Sequence, residues 1–252
     1  MIRSILYAWH VFAYYFSWVL FMGFGFFLSV ASLPLLPWRA RPGLQKKMRA
    51  LQRGLFRVWT WWFRASGVVR IHWSGFDAPL PPATVYISTH PSVVDAPLLI
   101  TRLPDTICVA KPGIMSNPAL GAAARVAGYV TGTEGVDMVR LVSEKIHAGQ
   151  SLLVFPEGTR TEAGATMNPF KPGFALIASR ANARIQLIVT RVTPGLGARG
   201  RPWWRLPDAL PLNAHFSLER SWEVTPEKSL AALSAEIEAH ALERVRAMRE
   251  TP

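Results

Sequence analysis

The sequence predicts an α/β fold, a mainly parallel sheet flanked by helices, preceded by an N-terminal apolar membrane-anchoring helical segment. Three observations predict it. Beyond Gly67, short β-rich runs alternate with helical runs, the pattern of a parallel sheet covered on both faces. Half of the 252 residues are apolar, enough for a sizeable core and too many for a disordered or low-complexity chain. No charged residue separates Arg3 from Arg39. The length suits one domain with an appendage.

Residues 1–38 read as the membrane anchor. Ile5 to Trp38 is dominated by Phe, Leu, Val, Ala, Trp and Tyr, which exceeds the roughly 20 residues one span needs. Gly23, Gly25, Pro34 and Pro37 punctuate its second half. One tilted span over about residues 8–30 and two short helices re-entering one leaflet both fit. The run is too long for a cleaved signal peptide.

Residues 39–66 read as a basic amphipathic interfacial helix. Leu44, Met48, Leu51, Leu55, Trp59 and Trp62 recur at intervals of three and four, while Lys46, Arg49, Arg53 and Arg57 keep the same spacing on another face. Such a helix can lie in the headgroup layer with its cations on anionic lipid, or pack on the domain with a solvated basic face. The net charge of +12 sits almost wholly in this front part: ten Lys and Arg precede Asp77 with no acid among them, and from Asp77 onward 18 basic residues face 16 acidic ones. Basic residues adjoining an apolar run argue against nucleic acid and for a cytoplasmic side of an inner membrane.

The domain is expected over residues 67–252. Its strands are expected at Val68 to Trp73, Thr84 to Ser88, Thr106 to Ala110, Ser151 to Phe155 and Ile185 to Val192, with Phe216 to Val224 as an edge strand. Helices are expected at Ala96 to Leu103, Pro118 to Ala127, Asp137 to Ala148 and Phe174 to Arg180. A last helix opens with Thr225 as cap and Pro226 and Glu227 in its first turn, sending Leu230, Leu233, Ile237, Val245 and Met248 to the core. The single cysteine, Cys108, excludes an internal disulfide and a multi-cysteine metal site, and its apolar strand makes it a packing residue. No metal site is expected. His10, His72, His147, His215 and His240 show no partner pattern.

Two polar blocks follow strands, where α/β sheets carry their sites. In His90-Pro91-Ser92-Val93-Val94-Asp95, the aspartate can fix the imidazole tautomer and leave the other ring nitrogen as general base, or it can merely cap the next helix. In Phe155-Pro156-Glu157-Gly158-Thr159-Arg160, the glycine permits close backbone approach, Thr159 and Arg160 supply donors suited to a phosphate, and Glu157 can orient them or bond a substrate hydroxyl. A third stretch, Gly195-Leu196-Gly197-Ala198-Arg199-Gly200, satisfies G-x-G-x-x-G but lacks the following helix of a dinucleotide site, and reads as a loop with a basic, tryptophan-rich tip.

The H-x4-D and FPEGTR blocks together resemble the glycerolipid acyltransferase family typified by 1-acylglycerol-3-phosphate O-acyltransferases. Ala110-Lys111, Phe170-Lys171-Pro172-Gly173 and the apolar run from Ile185 to Pro194 agree with it, so the similarity covers about Val68 to Pro194. The resemblance implies a membrane-bound acyltransferase of phospholipid biosynthesis, passing a fatty acyl group from acyl-CoA or acyl carrier protein to a lysophospholipid-type hydroxyl. No bound cofactor is implied. It implies His90 as base, Asp95 as its partner, and Lys111, Glu157, Gly158, Thr159 and Arg160 as acceptor-binding residues. One departure stands out: where the family carries an arginine after a glycine and an apolar run, Gly128 to Gly135 carries Glu134 instead. Arg125 or Arg140 can substitute, or the acceptor is another lipid, such as an ornithine-type lipid or a glycolipid intermediate. The competing class is a non-catalytic lipid-binding protein of the same fold at a membrane surface.

Overall fold

The computed structural model describes residues 2–131, 135–197, 199–200, 202, 204–225 and 229–250. Helix α1 (Ile2–Ser32) is followed by a 3-10 turn (Leu33–Trp38) and by α2 (Pro42–Ala65), which starts with Pro42 in its first turn. Then come β1 (Val69–Ser74), β2 (Val85–Ser88), α3 (Asp95–Ile100), β3 (Thr106–Ala110), α4 (Pro112–Met115), α5 (Gly121–Val126), β4 (Val130–Thr131) and α6 (Gly135–His147). The chain closes with β5 (Ser151–Val154), α7 (Gly173–Ala181), β6 (Ile185–Thr193), β7 (Leu212–Trp222) and α8 (Leu230–Glu250).

The seven strands among the described residues form one sheet in the order β1-β7-β6-β2-β5-β3-β4. All neighbours are parallel except β6 and β7. Both faces are covered, so the central strands lack the apolar–polar alternation of a half-exposed sheet. Val85 and Ile87 enter the core beneath α6, α7 and α8, while Tyr86 between them enters the core beneath α1, α2 and α3. Leu152 and Leu153 divide in the same way.

Three expectations change. The strand expected at the edge over Phe216 to Val224 begins at Leu212 and is inserted between β1 and β6, because Leu212, Ala214 and Phe216 are apolar and fully buried there. The last helix is capped by Ser229, whose Oγ accepts from the Ala232 N–H, and not by Thr225; Pro226 and Glu227 lie outside the described residues. Two short elements, α4 and β4, carry too few residues to show a period.

The third change concerns α2. Its inward face carries Met48 and Trp59 as expected, but also Phe63 and Arg49. Arg49 grips Asp105 through two bonds of 2.8 and 3.2 Å and donates to the Ala127 carbonyl. Arg53 and Arg57 donate to carbonyls of Thr101 and Arg102 at the end of α3, where helix carbonyls lack partners. Leu51, counted on the apolar face, is half exposed.

Helix α1 is the single helix among the described residues long and apolar enough to cross a membrane. It lies against the domain near both ends: Trp9 donates to the Ser66 carbonyl at 3.0 Å, and the Ala123 N–H donates to Ser29 Oγ at 3.4 Å. In between, Trp59 and Trp62 of α2 both donate to Ser17. Ala13, Tyr14, Trp18 and Leu28 are buried, while Ile5, Phe12, Val19 and Phe27 on other sides are exposed.

Candidate active site

Four parallel strands, β6, β2, β5 and β3, end at one edge of the sheet, and every residue expected in a site follows one of those ends. His90 follows β2, Lys111 follows β3, and the Glu157–Arg160 turn follows β5. The loop after β6 joins them. Its Leu196 carbonyl accepts from the Val93 N–H at 3.3 Å, and its Gly197 carbonyl accepts from Arg160 Nη1. The G-x-G-x-x-G stretch is thus part of the site wall, and none of its described residues lies in a helix; Ala198, Arg201 and Trp203 lie outside the described residues.

Asp95 sits in the first turn of α3 and is fully buried. One carboxylate oxygen, Oδ2, accepts from the Ser92 N–H at 2.8 Å and lies 3.0 Å from His90 Nδ1. It makes no bond to the helix start, so it is not a cap. Burial first pushes its carboxyl above the ordinary range; the bond to His90 and that ring's charge pull the other way. An ionised Asp95 accepts from Nδ1–H, which selects the tautomer with a lone pair on Nε2. The ring also stacks on Phe155, with centroids 3.9 Å apart. Two contacts therefore hold the imidazole, and its second nitrogen is left for chemistry.

Glu157 is buried and its carboxylate is used within the protein. Oε1 accepts from the His90 N–H at 2.7 Å, and Oε2 accepts from Thr161 Oγ1 at 2.9 Å and from the Asn168 N–H at 2.8 Å. With Thr161 N–H donating to the His90 carbonyl at 2.8 Å, this clamps the histidine loop to the turn after β5. Burial raises the Glu157 carboxyl above its ordinary value, against those bonds.

A cluster of cations surrounds the turn. Lys111 Nζ donates to Thr159 Oγ1 at 3.1 Å, and its ammonium is held below the ordinary value, first by burial and then by Arg160, Arg199 and Lys171. Gly158 sits at φ +69°, and a Cβ there would stand 3.0 Å from Lys171 Nζ. Arg199 pairs with Glu162 at 2.7 Å at the rim. Four cations so close repel one another unless an anion is shared among them. Lys171 was visible in the F-K-x-G stretch; Arg199 had no signal, since only docking of the loop after β6 brings it here. Arg125 instead donates to the Met115 carbonyl at 2.9 Å, and Arg140 pairs with Asp137 and Glu144 on its own helix. Glu134 lies outside the described residues. Among those residues, no group of three or more His, Cys, Asp or Glu gathers as metal ligands would.

A family model described as Acyltransferase matches residues 76–191, which hold both polar blocks. A 1-acyl-sn-glycerol-3-phosphate acyltransferase of Helicobacter pylori is 31% identical over 113 residues, 42% of this chain and 48% of that protein. A lyso-ornithine lipid O-acyltransferase of Pseudomonas aeruginosa is 31% identical over 137 residues, 52% of each chain. The chain spans about half the length of these curated relatives. The solved structure of the 1-acyl-sn-glycerophosphate acyltransferase PlsC from Thermotoga maritima superposes with a TM-score of 0.68 at 19% identity, covering 99% of this chain and 98% of that one, so the fold is shared from end to end. In its central sequence the chain is thus similar to glycerolipid acyltransferases, and it shares the fold of one of them.

Proposed function

We propose that the chain transfers a fatty acyl group from a thioester, acyl-CoA or acyl carrier protein, to the hydroxyl of a lysophospholipid-type acceptor such as 1-acylglycerol-3-phosphate. The observation that carries this reading is the His90–Asp95 contact of 3.0 Å at the same sheet edge as four cations. His90 Nε2 takes the acceptor's hydroxyl proton as its oxygen adds to the thioester carbonyl. The tetrahedral adduct collapses, breaking the carbon–sulfur bond, and the leaving thiolate receives that proton from the imidazolium. Asp95 keeps the ring oriented and stabilises its positive form, and no acyl-enzyme is needed.

Lys111, Thr159 and Arg160 hold the anionic headgroup, with Gly158 giving it room against the backbone. Glu157 acts one step back, by positioning the His90 loop. The cation cluster favours an acceptor with an anionic head. Residues 1–38 anchor the protein, residues 39–66 lie at the interface, and residues 67–252 form the catalytic domain on the cytoplasmic face of an inner membrane. Because α1 is bonded to the domain from Trp9 to Ser29, a stretch of about 30 Å at a rise of 1.5 Å per residue, a full span would draw polar domain surface into lipid. The exposed side of α1 instead beds into one leaflet.

The test is turnover by purified protein in lipid, with labelled acyl thioesters and a panel of lyso-lipids that includes 1-acylglycerol-3-phosphate and a lyso-ornithine lipid. Wild type should form one diacyl product, and His90→Ala should lose it while still folding. Unchanged turnover in that variant refutes the role of His90; no thioester consumption with any acceptor leaves the non-catalytic lipid-binding class.

A further inference from the structure

Away from the His90 site, a groove of about 780 Å³ opens between the C-terminal half of α2 and the edge strand β1. Strands β7 and β6 separate β1 from β2, so the groove and the histidine loop are distinct places. Arg57, Arg64, Arg70 and Arg102 line it, with His72 and Thr60 between them, and no carboxylate is among its lining residues. Arg57 is steadied by the Thr101 carbonyl and Arg102 by the face of Trp73 at 5.2 Å. Arg64 and Arg70 are exposed, and their guanidiniums have no hydrogen-bond or ion-pair partner among the described residues. On its outer side β1 pairs with no strand among the described residues, which leaves main-chain donors facing out as well.

The surroundings say what chemistry arrives there. At about 3.6 residues per turn, Leu51, Val58 and Trp62 fall on the side of α2 toward α1, Arg57 and Arg64 fall on the opposite side, and Trp61 lies between them. Trp62 touches Trp9 and Phe16 of α1. Leu51, Val58 and Trp61 are 50%, 52% and 68% exposed, so they extend the apolar surface of α1 up to the rim of the groove. A tryptophan between an apolar band and a row of arginines is the arrangement of a headgroup-level boundary.

We propose that this groove binds the phosphates of anionic phospholipid headgroups, separately from the acceptor consumed at His90. The assignment rests on the membrane-surface reading above. When the exposed apolar side of α1 and α2 enters the acyl region, the guanidiniums sit one layer higher, at the depth of lipid phosphates. Arginine suits that task, since its planar fork bonds two phosphate oxygens at once. Occupancy fixes how the domain tilts over the bilayer, and so where the His90 edge meets the lipid.

The experiment is sedimentation of the full chain with vesicles of phosphatidylcholine alone and of phosphatidylcholine with phosphatidylglycerol. A cation near an anionic surface contributes roughly fivefold in binding, so Arg64→Gln/Arg70→Gln should weaken binding to the mixed vesicles by about 25-fold. Binding to pure phosphatidylcholine and turnover of detergent-dispersed acceptor should stay unchanged. A control of equal charge change on the other face of the sheet, Arg140→Gln/Arg180→Gln, should bind like wild type. Equal loss in both double variants, or equal binding of wild type to both vesicles, overturns the groove and leaves the membrane reading standing. Failure of wild type to bind either vesicle overturns both. A raised KM for the acyl thioester with vesicle binding intact assigns the groove to the donor and overturns the lipid.

Discussion

Replacing Asp95 by Asn separates the chemistry of the site from its stability. The carboxylate lies 3.0 Å from His90 Nδ1, where a full negative charge attracts an imidazolium by about 5 kcal/mol at an effective dielectric constant of about 20. At about 1.4 kcal/mol per tenfold, this corresponds to roughly a 10⁴-fold effect on a step that makes an imidazolium. The neutral amide loses that attraction, and if its NH2 turns toward the ring it also selects the wrong tautomer, a change that costs about 10⁴ in hydrolytic triads. The expected fall in kcat is therefore about 10³- to 10⁴-fold, with KM within about threefold, since Asp95 is buried and touches no acceptor. Stability should not fall, because burial already disfavours the charged carboxyl. Turnover of a labelled thioester, with a thermal melt alongside, checks both halves. A variant that keeps more than about a tenth of wild-type kcat, or that loses only KM, would remove Asp95 from the mechanism.

Two further outcomes test the scaffold of the site. Glu157→Gln should destabilise the domain by about 1–3 kcal/mol in urea unfolding, because its NH2 group faces donors now served by a carboxylate. Since burial raises the native carboxyl above its unfolded value of about 4.3, the native state holds the proton more tightly, and the stability Glu157 contributes falls as pH rises from there through the native value. The gap between wild type and variant should thus narrow as pH rises from about 4; a widening gap contradicts the direction of that shift. Gly197→Ala should cost about 1–2 kcal/mol and raise the acceptor KM, because φ is +58° and a Cβ would stand 3.0 Å from Val93 Cγ1 and 3.2 Å from Arg160 Nη1. An unshifted melt and an unshifted KM would show that the loop after β6 does not support Arg160.

Local patterns sufficed for much of this protein. The strands ending at Ser88, Ala110 and Val154, the helix over α2 and the apolar run of α1 were legible because hydrophobic spacing repeats over neighbouring residues. Likewise His90 and Asp95 are five residues apart, within one loop, so their contact follows from local chain geometry. Contacts between distant segments belong to the tertiary structure. It decided that β7 is internal, that Arg49 is buried on Asp105 and not spread on lipid, and that Glu157 clamps the His90 loop. It also brought Arg199 beside Lys111 and set Arg64 against Arg70, pairs whose members carry no common period. A charge's place in sequence does not say whether it meets water, lipid or a buried carboxylate; only the packing of the surrounding elements does.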